Sequence, residues 1–248
     1  MFEKTIEFSA NEKFIKHNTE YLPVPIKLNI PKWYKELEHT IHNKTVKGCM
    51  PFLDTLTSGY LLKMPIDYYL EHNVKNEKGN LDTGSCSGQK RVNNFSDKIN
   101  LNYDTVKQLH EPDQLKGSPL LEKNKGLSFH KILNPWTIKT PPGYSCLFLP
   151  PMNNTDDRFS IIPGIVDTDS FPTEINFPIL LNGDKYPSLK TLIKKGTPYV
   201  QIFPFKREQW KMQITKITDE KRKEMDFFSF TQILHNYKIK FWSKKSWK

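Results

Sequence analysis

The sequence predicts a mainly β fold, a sandwich or barrel with short appendages, and three observations carry that expectation. Short apolar and aromatic runs recur between Asn134 and Phe205. Each is bounded by Pro, Gly, Asn or Asp, the pattern of strands separated by tight turns. At 248 residues the chain is long enough for one large all-β domain with a proper core.

Composition narrows the class. Hydrophobic content of 37% and charged content of 26% are those of an ordinary globular protein rather than a disordered one. No apolar run approaches the roughly eighteen residues that a membrane helix needs. Lys4, Glu7, Glu12 and Lys13 interrupt any apolar leader, so the expected location is the cytoplasm of the cell that makes the protein. Cys49, Cys86 and Cys146 are sparse, odd in number and without a Cys-x-x-Cys pair. That argues against a disulfide framework or a structural zinc site and makes Cys146 a small buried hydrophobe. The net charge of +10 is uneven, because Lys206–Lys248 holds twelve Lys/Arg against five Asp/Glu. Polyanion binding, if any, therefore belongs to this last segment.

Taken in order, Thr5-Ile6-Glu7-Phe8 reads as an edge strand. Tyr21–Ile26 and Ile30-Pro31 read as an extended arm, because each Pro fixes its own φ and pushes its predecessor out of the helical region. Pro31 followed by Trp33, Tyr34, Leu37 and Ile41 predicts an amphipathic helix over 32–43. His39 and His42, three apart on that helix, have a spacing that can hold a metal. With no third ligand in view, solvated or capping histidines near a helix C-terminus are the favoured reading. After Thr45–Asp54, the block Thr57–Leu70 reads as a strand ending at Pro65 with a further strand after it. Glu77-Lys78-Gly79-Asn80 is a hairpin turn. Thr83-Gly84-Ser85-Cys86-Ser87-Gly88 is read as a flexible loop, since it lacks the Gly-Lys-Ser/Thr ending of a phosphate cradle. Residues 99–126 are loop with at most one short helix, and Phe129–Leu133 is a strand. Glu208–Thr215 alternates as one last strand, and Glu220–His235 fits a helix. The expected layout is an arm and helix over 1–44, a β-barrel core over 45–215, and a C-terminal helix and basic aromatic tail over 216–248.

The central motifs resemble, in order, the β-clip barrel of the dUTPase and dCTP deaminase superfamily. Pro142-Gly143-Tyr144 is similar to its Pro-Gly turn, and Gly164-Ile165-Val166-Asp167-Thr168-Asp169 to its acidic hairpin. Gly196-Thr197-Pro198-Tyr199-Val200-Gln201 is similar to its closing strand, and Ser58-Gly59-Tyr60 to its first segment. The resemblance implies a β-clip or jelly-roll-like barrel and often a trimer. It also departs from the enzyme: Leu61 stands where that family has a metal-binding Asp, and Pro150-Pro151-Met152-Asn153 where it has Arg-Ser-Gly. Phosphate hydrolysis needs a metal or cationic clamp for the developing charge. The resemblance thus supports the barrel and argues against the hydrolase. The whole chain, through Ile30–Lys35, Gly48–Asp54, Asn134-Pro135-Trp136 and Val166–Asp169, also resembles an uncharacterised protein family of marine tailed phages. That implies a viral origin, with the host cytoplasm or the virion as location.

Asp167 and Asp169 are the best candidates for chemistry, since i, i+2 residues on one strand share a face. The competing reading is that they cap a tight turn. Tyr144, Asn153 and Gln201 are the ligand-binding candidates that the β-clip resemblance implies. No nucleophile elbow appears, no Cys lies near a His, and no His has an acid two residues later. Lys238, Lys240, Trp242, Lys244, Lys245 and Trp247 alternate cation with aromatic, so they can bind single-stranded nucleic acid or pack as an amphipathic element. Packing is favoured. The expected function is non-catalytic, a structural or accessory subunit acting by assembly, as a homo-oligomer or with virion proteins. The rivals are a divergent nucleotide-binding or nucleotide-hydrolysing enzyme, the one case calling for Mg²⁺, and a nucleic-acid-binding module.

Overall fold

The computed structural model describes residues 4–40, 42–73, 85–89, 109–153, 156–231 and 237–248. The hairpin turn expected at Glu77–Asn80 lies outside the described residues, as do the start of the Gly/Ser loop and the end of the helix expected to reach His235. The protein is mainly sheet. Among the described residues fourteen strands form sheets of two, four, five and three strands, and every pairing with a described register is antiparallel. None of these strand orders closes on itself.

The chain divides into two compact units. One comprises residues 1–24 and 59–206, the other 25–58 and 207–248. This division cuts across the expected segments 1–44, 45–215 and 216–248. The reason is visible at the N-terminus: β1 (Glu7–Ser9) pairs with β8 (Thr137–Lys139), and Phe14 is buried in the core of the first unit. Residues 4–24 are thus part of that unit, and the edge strand expected at Thr5–Phe8 is present as β1.

The first unit is organised by β14 (Pro198–Lys206). One edge of β14 pairs with β9 (Tyr144–Leu149), the other with β3 (Tyr60–Lys63). β11 (Gly164–Val166) adds outside β9, and the two-residue β2 (Val24–Pro25) ends the order on the far side. The four-stranded sheet runs β10 (Phe159–Ile161), β12 (Phe177–Leu181), β7 (Phe129–Ile132), β6 (Leu109–His110). The three-stranded sheet runs β13 (Ser188–Ile193), β4 (Tyr68–Asn73), β5 (Ser85–Gln89). Leu62, Phe148, Val200 and Ile202 from the five-stranded sheet meet Ile132, Phe177, Ile179 and Leu181 from the four-stranded one in a single buried cluster. Period-two alternation of apolar residues produces this arrangement, because each strand turns one face inward. Buried amides close the loops between strands. Asn134 donates to the Trp136 carbonyl at 2.8 Å and accepts from the Tyr199 hydroxyl, while Asn124 donates to Leu127 and accepts from Leu181 N–H.

Two helices in this unit are short and capped. In α1 (Glu12–His17) the Asn11 side chain accepts from Lys13 N–H, with Glu12 at the positive end and Lys16 and His17 at the negative end. α4 (Pro119–Lys123) starts with Pro119 and is capped by Ser118.

The second unit holds α2 (Lys32–Glu36), α3 (Met50–Thr57) and α5 (Asp219–Thr231). Tyr34 and Phe52 stack at 5.8 Å, with Met50 and Leu56 buried nearby in sequence. The helix expected over 32–43 stops at Glu36, because Leu37 turns extended (φ −63°, ψ 125°) and the His39 ring accepts from Thr45 N–H at 3.0 Å. His39 and His42 therefore do not share a helix face, and the metal spacing read from the sequence has no structural counterpart. Gly48 makes room for the His39 ring, since a Cβ there would lie 2.4 Å from it.

The strand expected over Glu208–Thr215 is also absent. Residues 207–218 contain no strand, helix, turn or bend. Trp210, Met212 and Ile214 are 88%, 84% and 87% exposed. The alternation is real, but a strand exists only when another pairs with it, and no described strand does.

Gly59 sits at φ +84°, and a Cβ there would meet the Ile202 carbonyl oxygen at 2.2 Å. Gly59→Ala should therefore lower the unfolding free energy by at least about 2 kcal/mol. Urea denaturation checks this, with the midpoint falling and the slope unchanged.

Candidate functional site

Three places hold the side chains with chemical potential: the acidic hairpin after β11, a cavity at the far end of β9, and the C-terminal tail.

The hairpin is built by β8, β9 and β11. Gly143, at φ +83°, lets the chain reverse between β8 and β9. Asp169 Oδ2 accepts from Gly143 N–H at 2.8 Å, and Asp167 Oδ1 accepts from the Ser145 hydroxyl at 2.6 Å. Beneath them the Thr140 and Thr168 hydroxyls share a hydrogen bond of 2.7 Å, and the Thr168 hydroxyl contacts Cys146 Sγ at 3.3 Å. Asp169 thus holds the neighbouring β8–β9 turn, and Asp167 holds the first residues of β9. Burial pushes the Cys146 thiol up to about 11, which keeps it protonated and unreactive. Tyr144 carries the Lys4 ammonium 5.8 Å above its ring.

The cavity has a volume of about 220 Å³ and is lined by Pro150, Pro151, Asp156, Asp157, Ser160 and Tyr199, among others. That is below the roughly 300–1,000 Å³ typical of ligand pockets, so it suits at most a small polar group. Asp156 is held by a forked bond from Arg158 (Nε–Oδ1 2.9 Å, Nη2–Oδ2 2.7 Å), and Arg158 also donates to Thr191 at 2.7 Å. The hydrogen bonds from Arg158 hold the Asp156 carboxyl below its usual range despite partial burial. Asp157 is lowered by hydrogen bonds from Lys185 and the Tyr186 hydroxyl. Both lining carboxylates are thus engaged from outside the cavity wall, by Arg158 and by Lys185, while Lys123 also lines it.

The ligand-binding candidates do not converge. Lys206 pairs with Tyr144 and Gln201 with Leu149, so Tyr144 and Gln201 lie at opposite ends of β9. At about 3.4 Å per residue they are some 17 Å apart. Gln201 is fully buried and accepts from Met152 N–H at 2.9 Å, which fixes the loop after β9. Asn153 in that loop adopts the left-handed conformation (φ 59°) that Asn tolerates in turns. Among the described residues no group of three His, Cys, Asp or Glu is placed to hold a metal ion.

In the tail, Trp242 Nε1 donates to both Asp54 oxygens (3.1 and 3.2 Å), and Lys245 Nζ reaches the same carboxylate at 2.6 Å. Lys240 lies 5.8 Å over the Phe228 ring, which packs edge-on against Phe241. Trp247 is half-buried, while Lys238 and Lys244 are exposed. Sequence reasoning missed Asp54 as the anchor and missed Arg158–Asp156 as the ion pair beside the cavity. The Asp156-Asp157-Arg158 run was a visible signal for the second.

The chain matches no known protein-family model, and no curated protein is significantly similar to it. No described helix is long and apolar enough to cross a membrane.

Two outcomes test this geometry. Because the Asp156 pKa is depressed in the folded state, its stabilisation is fully present above the ordinary carboxylate value and is lost as pH falls through the lower folded value. Urea midpoints across the acid range should therefore fall less steeply in Asp156→Asn than in the wild type. Asp54→Ala should release Trp242 and Lys245 and speed tryptic cleavage after Lys244 and Lys245 several-fold, leaving the first unit resistant.

Proposed function

We propose that this protein is a non-catalytic structural or accessory subunit that works by assembly. One observation carries the reading: twelve residues, 207–218, run without turn or bend and present Trp210, Met212 and Ile214 almost fully to solvent. Lys211 and Gln213 alternate with them, so the segment has the period-two pattern of a strand without a strand to pair with among the described residues. Such a segment is suited to adding onto a partner, where backbone hydrogen bonds give affinity and alternate side chains give specificity.

The sheet topology supports assigning the first unit to the β-clip or jelly-roll class. Its Pro-Gly turn, acidic hairpin and closing strand meet around β9 in the order of the resemblance. In this reading the two aspartates keep a structural post, and Mg²⁺ has no assigned place. A phage origin, with the protein in the virion or the host cytoplasm, fits a subunit of this kind. The tail belongs with packing, since Trp242 and Lys245 are already engaged by Asp54.

Sedimentation velocity over a wide concentration range tests the reading. The wild type should sediment as a discrete oligomer, and Trp210→Ser/Met212→Ser/Ile214→Ser as a monomer of unchanged secondary structure. A wild type that stays monomeric throughout, and is stabilised by a deoxynucleotide with Mg²⁺ in a way that Asp167→Asn abolishes, would replace assembly with the enzyme.

A further inference from the structure

We propose that the cavity at the far end of β9 binds a small hydroxycarboxylate, with its carboxylate at Lys123, Ser160 and Asn182 and its hydroxyl at Asp156 and Asp157. The site lies wholly within the first unit and does not depend on the assembly reading.

The cavity wall comes from several elements. Pro150 and Pro151 follow β9, Phe159 and Ser160 belong to β10, and Pro198 and Tyr199 open β14. Leu180 lies in β12, and Asn182 just past its end. Lys123 is the last residue of α4. Its carbonyl accepts from Gly183 N–H at 3.1 Å, and the next side chain, Asn124, accepts from Leu181 N–H at 2.9 Å. Those two bonds fix the end of α4 against the end of β12, which brings a lysine to a cavity that strands otherwise build.

The polar groups on this wall are of two kinds. Asp156 and Asp157 are kept ionised by the hydrogen bonds from Arg158, Lys185 and Tyr186. An ionised carboxylate accepts and never donates, and it has room for about four bonds. What these two can still take is a donor such as a hydroxyl. The other groups can donate. The Lys123 ammonium and the Ser160 hydroxyl have no partner among the described residues. The Asn182 oxygen accepts from Lys185 N–H at 3.4 Å, which leaves its NH₂ as the available half. Arg158 and Lys185 balance the two aspartates, so Lys123 is the unmatched cation among the lining residues. One negative charge answers it, whereas a second would meet the aspartates, which favours a monocarboxylate over phosphate. Pro150, Pro151, Phe159 and Leu180 offer apolar surface to a short carbon skeleton. A volume of about 220 Å³ suits a free small acid rather than the end of a peptide.

Saturation-transfer NMR on the full-length chain tests this. The probes are lactate and glycerate, with propionate lacking the hydroxyl, inorganic phosphate as a second anion and acetyl-dialanine as a peptide carboxylate. Lactate or glycerate should bind saturably, propionate several-fold more weakly, and phosphate and acetyl-dialanine should not compete. Lys123→Met should weaken binding by at least about tenfold and Ser160→Ala by several-fold, while Lys123→Arg keeps most of it. Lys125→Met removes a neighbouring ammonium that pairs with Asp184 away from the cavity, and it should bind as the wild type does. Lys123 and Lys125 are both exposed, so thermal melts of these variants should match the wild type. Absence of saturable binding by both hydroxy acids overturns the site. Binding that survives Lys123→Met unchanged overturns its location. Competition by phosphate or acetyl-dialanine at equal strength overturns the class of ligand.

Discussion

The double pairing of β14 is the constraint on which the rest of the first unit depends. A strand hydrogen-bonded on both edges cannot slip by one residue without turning its buried face to solvent on both sides at once. Val200 and Ile202 point into the core between Leu62 and Tyr60 on one flank and Phe148 on the other. Gln201, on the alternate face, spends its side chain on the loop after β9. Gly59 is forced by the same strand, because the Ile202 carbonyl occupies the space of a side chain. One element thus sets register, loop and turn together.

The acidic hairpin follows the same logic at the other end of β9. A Pro-Gly reversal is tight but exposes backbone donors, and a carboxylate is a strong acceptor for them. Asp169 meets that need at Gly143 N–H from an adjacent connection, and Asp167 accepts from the Ser145 hydroxyl on β9, so the connection after β11 is tied to the turn and to the strand that follows it. Residues that would suggest catalysis in a list of motifs are here part of how the sheet edge is held.

Much of the β architecture was legible in the sequence, because alternation and turn residues are local signals. Phe129–Ile132, Tyr144–Leu149 and Pro198–Lys206 announce themselves in this way. The helices were less legible. Pro31 marked the start of α2, but nothing local marked its end, which is decided by the His39 ring reaching Thr45. α1 carried a readable Asn11-Glu12 start that the neighbouring prolines overshadowed. α3 has Pro51 in its first turn, a position that also reads as a helix breaker. The candidate site was only partly legible. Asp167 and Asp169 were found by type and spacing, whereas Asp54, 188 residues from the Trp242 it holds, leaves no local trace.

The second unit is assembled from residues 25–58 and 207–248, the two sides of a long insertion. Its first portion leaves the ribosome well before its second. At about 5–20 residues per second, residues 25–58 precede 207–248 by roughly ten to thirty seconds. Synthesis order thereby imposes a sequence of events: the sheets of the first unit can form while translation continues, before residues 207–248 are made.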